Sequence, residues 1–349
     1  MKTKVLVVDD SPYTRQIIKK IVEQDSGLEV VGVASDGVDA MAKTLRLKPD
    51  IITLDFEMPE MDGFSFLRWL MRERPTPVIM VSSHADSKTV FKALDLGAVD
   101  FISKPTKRAS IELQNIEKDL LRKLKGIKDI RLDILSKNLE LLENEERYEL
   151  PDEKSRHSIR VVAIGSSTGG PAALQIILTR LPSDFRAAVV VSQHMPRGFT
   201  GPLAERLDKL SKVKIKEAED GDQVEAGKIL ICPGGYHMGI YKKGQKTQVT
   251  LKEGRLTDKY IPSVDYMMTS VAGNFGAGSM GVILTGMGND GKNGMLEIKE
   301  KGGYTIAESE ESSVVFGMPA EAIKAGAATK VLPISDIPAE IIRMVNNQQ

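Results

Sequence analysis

One cysteine, Cys232, is the whole thiol content of this 349-residue chain, so no disulfide can form within it. Such poverty in cysteine fits a reducing compartment, and the cytoplasm is the expected location. Cys232 closes the apolar run Ile229-Leu230-Ile231 and reads as a buried core thiol rather than a reactive one. Excess charge is also missing: 48 basic side chains cancel 48 acidic ones. A surface built for phosphates leaves a basic surplus, so DNA or RNA is disfavoured as the main partner. No apolar run approaches the roughly 18 residues of a membrane span. The stretch Val5-Leu6-Val7-Val8 is too short for a signal-peptide core and runs into two aspartates. Histidines number only four, and no Cys/His/carboxylate spacing suggests a catalytic zinc. What remains is an ordinary soluble balance of 41% apolar and 28% charged residues. The chain is too long for one core, so two domains are expected.

Residues 1–105 alternate short apolar runs with helical patterns. The runs are Val5–Val8, Glu29–Val33, Ile51–Leu54, Val78–Val81 and Asp100–Ile102; amphipathic stretches cover 13–23, 38–47, 63–73 and 87–96. Strict alternation predicts a parallel sheet with helices on both faces and its chemistry at the carboxyl ends of the strands. Apolar residues at 113, 116, 120, 124 and 127 then give one helical face, placing a helix over about 109–125. Charge is polarised here: residues 107–131 carry eight basic and four acidic side chains, whereas 132–153 carry two and eight. A solvated charged spacer fits this pattern, the alternative being a helical linker whose acidic half contacts basic surface. Alternation resumes at Ile159, with strands expected at 160–164, 188–193, 228–231, 279–284, 304–307 and 330–332. A small β insert is expected at 237–242 and 248–252.

Three carboxylates fall at strand ends of the first region: Asp9 and Asp10 after Val5–Val8, and Asp55 after Ile51–Leu54. Neighbouring strand ends bring them together, and clustered anions call for a divalent cation, with hard oxygen ligands favouring Mg²⁺. Asp55 can then attack phosphorus to give an acyl phosphate. Ser82 and Lys104, after later strands, offer a hydroxyl and a positive charge to the new phosphoryl oxygens. The Lys104–Pro105 bond is a candidate for cis.

In the second region Gly165-Ser166-Ser167-Thr168-Gly169-Gly170-Pro171 follows one strand and enters a helical pattern over 172–181. The loop reads equally as a phosphate cradle or as a sharp elbow presenting Ser167 in a G-x-S-x-G frame. It lacks the Gly-Lys-Ser/Thr ending of a P-loop and the spacing of a dinucleotide site, so the serine elbow leads. A base is available, since His194 closes the next strand. Asp290 can orient the imidazole from the glycine-rich loop after strand 279–284, although that position also suits a cap for the helix starting near Gly291.

The order Ser, His, Asp differs from that of α/β-hydrolases. Two sets of motifs carry a further resemblance. Residues 1–105, through Val7-Val8-Asp9-Asp10-Ser11, Leu54-Asp55-Phe56-Glu57-Met58-Pro59, Met61-Asp62-Gly63, Val81-Ser82-Ser83 and Ser103-Lys104-Pro105, resemble a two-component response-regulator receiver. The elbow, with Gln193-His194-Met195-Pro196, Leu284–Gly291 and Phe316-Gly317-Met318-Pro319, closely resembles the chemotaxis receptor-glutamate methylesterase (CheB) family. The likeness covers nearly the whole chain except the spacer.

The resemblance implies an α/β architecture of two doubly wound parallel-sheet domains. These are a flavodoxin-like receiver over 1–125 and a Rossmann-like αβα catalytic domain with a small β insert over 158–349, joined by a linker over 126–157. It implies Asp55 as phosphate acceptor, Mg²⁺ held by Asp10, Asp55 and the Glu57 carbonyl with Asp9 nearby, and Phe101 as a switching aromatic. It further implies hydrolysis of glutamyl γ-methyl esters on chemoreceptors by Ser167, His194 and Asp290, without a cofactor. The amides of Thr168 and Met287 would hold the oxyanion, a histidine kinase would supply the phosphoryl group, and receptor glutamines are possible second substrates. An unphosphorylated receiver is expected to cover the Ser167 cleft. Ile261 departs from the family pattern, which leads one to expect a basic residue there. Arg197 reads as a solvated arginine or a contact for acidic receptor surface, His237 equally as cleft lining or packing, and His84 and His157 as solvated loop residues. A receiver-coupled scaffold or nucleotide-binding module is the competing class.

Overall fold

A computed structural model describes residues 2–82, 87–104, 111–143, 158–255 and 257–346, without the side chains of 87, 88, 111–115, 127 and 143. The chain divides into two compact units, Met1–Ser136 and Lys137–Gln349.

In the first unit β1 (Thr3–Val8), β2 (Leu28–Ala34), β3 (Ile51–Leu54), β4 (Val78–Ser82) and β5 (Asp100–Ser103) form one sheet in the order β2-β1-β3-β4-β5. Every pairing is parallel. The strands are apolar throughout because both faces are covered; all four residues of β3 are buried. Helices start where the sequence supplies caps: the Ser11 hydroxyl accepts the Thr14 N–H ahead of α1 (Pro12–Glu23), and Asp62 accepts the Ser65 N–H ahead of α3 (Gly63–Glu73). α5 (Ile111–Lys125) packs Leu120 and Leu124 into the core beside Val5, Val7 and Ile18. β1 has β2 on one side and β3 on the other, so the winding direction reverses there. In such a sheet the crevice at the reversal is the binding position.

The second unit holds β6 (Val161–Ser166), β7 (Ala188–Gln193), β8 (Lys214–Glu217), β9 (Lys228–Ile231), β12 (Ser279–Ile283), β13 (Tyr304–Glu308) and β14 (Lys330–Leu332). They make one parallel sheet in the order β14-β13-β12-β6-β7-β9-β8. The β insert is an antiparallel hairpin of β10 (Tyr236–Lys243) and β11 (Lys246–Glu253). Winding reverses at β6, between β7 and β12. α7 (Gly170–Leu178) begins two residues earlier than its periodicity suggests, with Pro171 in its first turn. α9 (Val264–Phe275) lies against β6 and β10 and buries Val264, Met267, Met268 and Val271. α6 (Leu132–Glu143) falls in the stretch expected as a solvated spacer, yet Ile134, Leu135 and Asn138 on it are buried. β8 was not expected from the sequence. Pro105, with the expected cis bond, and His84 and His157 lie outside the described residues; the cis peptide among the described ones is Ile261–Pro262.

Candidate active site

The reversal at β6 sets three loops side by side. β6 delivers Ser166-Ser167-Thr168, β7 delivers His194, and β12 leads into Leu284–Asp290. Gly169, at φ 77°, turns the chain from strand into α7, a conformation that favours glycine. Backbone bonds lock the loops together: the Ser167 N–H donates to the Thr285 carbonyl at 3.0 Å, and the His194 N–H to the Ser166 carbonyl at 3.0 Å. Gln193 staples the same junction. Its amide donates to the Ser167 and His194 carbonyls at 2.9 and 3.0 Å, while its oxygen accepts the Ser166 hydroxyl at 2.6 Å.

His194 Nε2 lies 2.8 Å from Asp290 Oδ2. An ionised carboxylate only accepts, so Nε2 carries the proton and Nδ1 keeps its lone pair. Nδ1 is buried with no hydrogen-bond partner among the described residues. The ring stacks on Tyr260, with centroids 5.0 Å apart and planes 5° from parallel. Asp290 does not cap the helix that follows it, α10 (Lys292–Glu300), whose cap is Gly291 without a side-chain bond. It sits instead at the start of α9, accepting the Val264 and Asp265 N–H groups at 2.7 and 3.0 Å and the Ser263 hydroxyl at 3.2 Å. Burial would raise its pKa. The hydrogen bond and charge of His194, then the Asp265 and Val264 amides, outweigh burial and hold it below the usual carboxylate value. Ser167, His194 and Asp290 are all buried, at 3%, 6% and 2% exposure. Thr168 and Met287 are buried beside them, and the neighbouring Gly286 N–H is committed to the Val315 carbonyl at 3.0 Å.

The other candidates resolve differently. His237 is a packing residue: Nε2 pairs with Asp258 at 3.0 Å and Nδ1 accepts the Ser263 N–H at 3.2 Å. Arg197 pairs with Glu253 at 2.8 Å on the exposed hairpin. Where Ile261 departs from the family pattern, Lys259 stands two residues earlier and donates to Asn289 at 2.9 Å. Lys259, Asn289, Phe316 and Glu321 line a shallow cavity of about 420 Å³ next to the Asp290 loop. Sequence reasoning gave no role to Gln193, Thr285, Ser263 or Tyr260. Only Gln193 offered a signal, a polar residue ending a strand that is apolar through Ala188–Val191.

In the first unit, one carboxylate oxygen from each of Asp9, Asp10 and Asp55 lies within 4.8 Å of the others. Lys104 Nζ reaches Asp55 at 2.5 Å, Asp9 at 3.4 Å and Asp10 at 3.9 Å. Burial and then the charge of Asp55 push Asp9 up to about 6, against Lys104, and burial also raises Asp55. Asp9 Oδ2 is buried and, among the described residues, meets only the Lys104 ammonium at 3.4 Å. Hard oxygens and three carboxylates facing a single lysine charge fit a divalent cation such as Mg²⁺. Glu57 is exposed, and its amide bonds to Asp55. Ser82 is buried at the end of β4, and Phe101 is buried on β5 with Lys123 Nζ 5.5 Å from its ring centre.

Comparison with known proteins agrees with this architecture. Residues 162–341 match the CheB methylesterase family and residues 5–114 the response regulator receiver domain. The chain is 45% identical over 360 residues to a protein-glutamate methylesterase/protein-glutamine glutaminase of Geobacter sulfurreducens, covering 98% of this chain and 97% of that one. It is 43% identical to the protein of the same name from Archaeoglobus fulgidus, covering 98% of each. The crystal structure of the Thermotoga maritima CheB methylesterase catalytic domain matches with TM-score 0.52 and 44% identity, covering 54% of this chain and all of that one. A receiver and a hydrolase on one chain define a response regulator with an enzymatic output. The chain belongs to the CheB methylesterase family.

Proposed function

We propose that this protein hydrolyses glutamyl γ-methyl esters on methyl-accepting chemoreceptors, releasing methanol, with Ser167 as nucleophile, His194 as base and Asp290 as its orienting carboxylate. The observation that carries the assignment is the His194–Asp290 bond through Nε2, which leaves a buried Nδ1, unpartnered among the described residues, on the strand end next to Ser167. Relative to chymotrypsin-type triads the two ring nitrogens exchange roles.

Nδ1 takes the hydroxyl proton as Oγ attacks the ester carbonyl, and the imidazolium formed is held by the ionised Asp290 and the stacked Tyr260 ring. The Thr168 and Met287 amides hold the oxyanion. The same proton then goes to the departing methoxide, and His194 activates water against the acyl-enzyme. Glutamine deamidation follows the same steps, with ammonia leaving. The cavity beside Lys259 and Asn289 accommodates receptor chain flanking the ester. Asp55 receives a phosphoryl group from a chemotaxis histidine kinase and so regulates the hydrolase. Asp10, Asp55 and the Glu57 carbonyl would hold the Mg²⁺ that neutralises charge there, with Asp9 alongside, while Lys104 and Ser82 bind the phosphoryl oxygens and Phe101 reports the change. The working division is 1–125, linker 126–157 and 158–349, in the cytoplasm.

Methanol release from methylated receptor membranes tests this with wild type, Ser167→Ala and Asp55→Asn, each with and without a small phosphodonor. Wild type should turn over and respond to the donor, Asp55→Asn should not respond, and Ser167→Ala should be inactive. Failure of a fluorophosphonate to label wild type, together with nucleotide binding, would favour a non-catalytic module instead.

A further inference from the structure

Glu308 ends β13 fully buried, and among the described residues it has no ion-pair partner. Its two oxygens are engaged in opposite directions. Oε2 accepts the Thr285 N–H at 2.7 Å, and Oε1 accepts the Ser312 hydroxyl at 3.0 Å. Thr285 faces the elbow: its carbonyl accepts the Ser167 N–H at 3.0 Å, its hydroxyl donates to the Thr168 carbonyl at 3.0 Å, and the same oxygen accepts the Val315 N–H at 2.9 Å. One residue therefore separates the carboxylate from the amide of Ser167. Ser312 faces the other way, since its carbonyl accepts the side-chain amide of Asn138 on α6 at 3.0 Å.

Ser312 Oγ accepts the Ile334 N–H at 2.9 Å and keeps its hydrogen available for Glu308. A carboxylate accepts from both donors as they stand, whereas a carboxylic acid on Oε1 would require the Ser312 hydroxyl to turn its hydrogen away.

We propose that ionised Glu308 is a positioning residue for Ser167, fixing the nucleophile turn through Thr285 and tying it through Ser312 to α6. This rests on Ser167 being the nucleophile. Burial pushes Glu308 up to about 7, opposed by its bonds to Thr285 and Ser312, so its ionisation falls in the working range. Other charges on the surrounding elements point to solvent: Glu310 and Glu311 on its own turn, Asp336 beyond β14, and Lys137 and Glu140 on α6 are exposed. Arg180 is bonded to the Leu141 carbonyl.

Glu308→Gln mimics the neutral acid and gives the test. Methanol release is followed across pH 7 for wild type, Glu308→Gln and Ser312→Ala, with KM determined separately. Below pH 7 wild type and Glu308→Gln should agree. Above it kcat of Glu308→Gln should fall behind by roughly tenfold, a cost typical of a misaligned reacting group, at unchanged KM. A structural role predicts the reverse. A carboxyl whose folded pKa is raised loses stability as pH rises from its unfolded value to about 7, so Glu308→Gln should be the more stable variant above pH 7. Ser312→Ala removes a bond favouring the anion and should move the activity limb to higher pH. A kcat ratio that stays flat with pH, or a limb unmoved by Ser312→Ala, overturns the proposal. Activity surviving in Ser167→Ala overturns the nucleophile assignment instead.

Discussion

Placing alanine at Gly165, two residues before Ser167, tests whether packing behind the strand ends sets the geometry of the triad. The backbone there lies outside the left-handed region, so alanine meets no conformational penalty. Its Cβ would overlap Val264 Cγ1 and lie 2.9 Å from Val264 Cγ2 and 3.1 Å from Ile283 Cδ1. Both neighbours are fully buried, and overpacking of this kind costs about 1–3 kcal/mol. Val264 opens α9, and its amide donates to Asp290 at 2.7 Å, so displacing it moves the carboxylate that holds His194. Turnover should fall by about 10- to 100-fold, the scale of an ångström-sized misplacement. Val264→Ala removes two methyl groups, worth ~1.5 kcal/mol of burial before any cavity contribution, and opens room for the new Cβ. The double variant should therefore be more stable than the two single losses predict, by about 1 kcal/mol or more. The lone tryptophan, Trp69, belongs to the first unit, so fluorescence does not follow this change. Calorimetry on the transition of the second unit does. Strictly additive losses would refute the reasoning.

Ser167→Ala should cost about 10⁴–10⁶ in kcat while leaving the thermal transition of the second unit in place; residual turnover near wild type would sink the nucleophile assignment. Asp290→Asn should retain the contact with His194 but favour the wrong tautomer, lowering kcat by about 10⁴, and a loss below tenfold in steady-state assays would argue against the orienting role. Asp9 is pushed up to about 6, so without metal its burial destabilises the first unit as pH rises toward that value, while bound Mg²⁺ reverses the trend. Mg²⁺ should thus raise the melting temperature of the first unit more at pH 8 than at pH 5, and equal shifts would count against Asp9. Burial holds the Cys232 thiol far above its usual pKa, so a thiol alkylator should modify it only under denaturing conditions.

Much of the fold was legible because fully covered parallel strands need continuous apolar runs, and the loops after them hold the polar residues that stand out. β8 escaped for the opposite reason. It is an edge strand reading Lys-Ile-Lys-Glu with one buried residue, and lysine there also deters pairing with another chain. Ser167, His194 and Asp290 could be picked out because each follows a recognisable strand. The direction in which Asp290 works could not, since its donors at 263–265 are remote in sequence and its immediate neighbours suggest a cap. Glu308 was equally hidden: it closes an apolar strand in a turn rich in serine and glutamate, and only its complete burial distinguishes it from Glu310 and Glu311.

The position of β6 at the middle of its sheet also governs when the protein becomes an enzyme. Ser167 is synthesised early, but the contacts that shape its turn come from Thr285, 117 residues beyond Thr168, and the carboxylate for His194 comes 96 residues after it. At roughly 5–20 residues per second, a ribosome exposes the serine on the order of ten seconds before β12 can pair with β6. Pairings that distant are slow, nonlocal steps of folding. An emerging or truncated chain therefore carries the proposed nucleophile without its base geometry, and that geometry arrives only once β12 and the loop after it are in place.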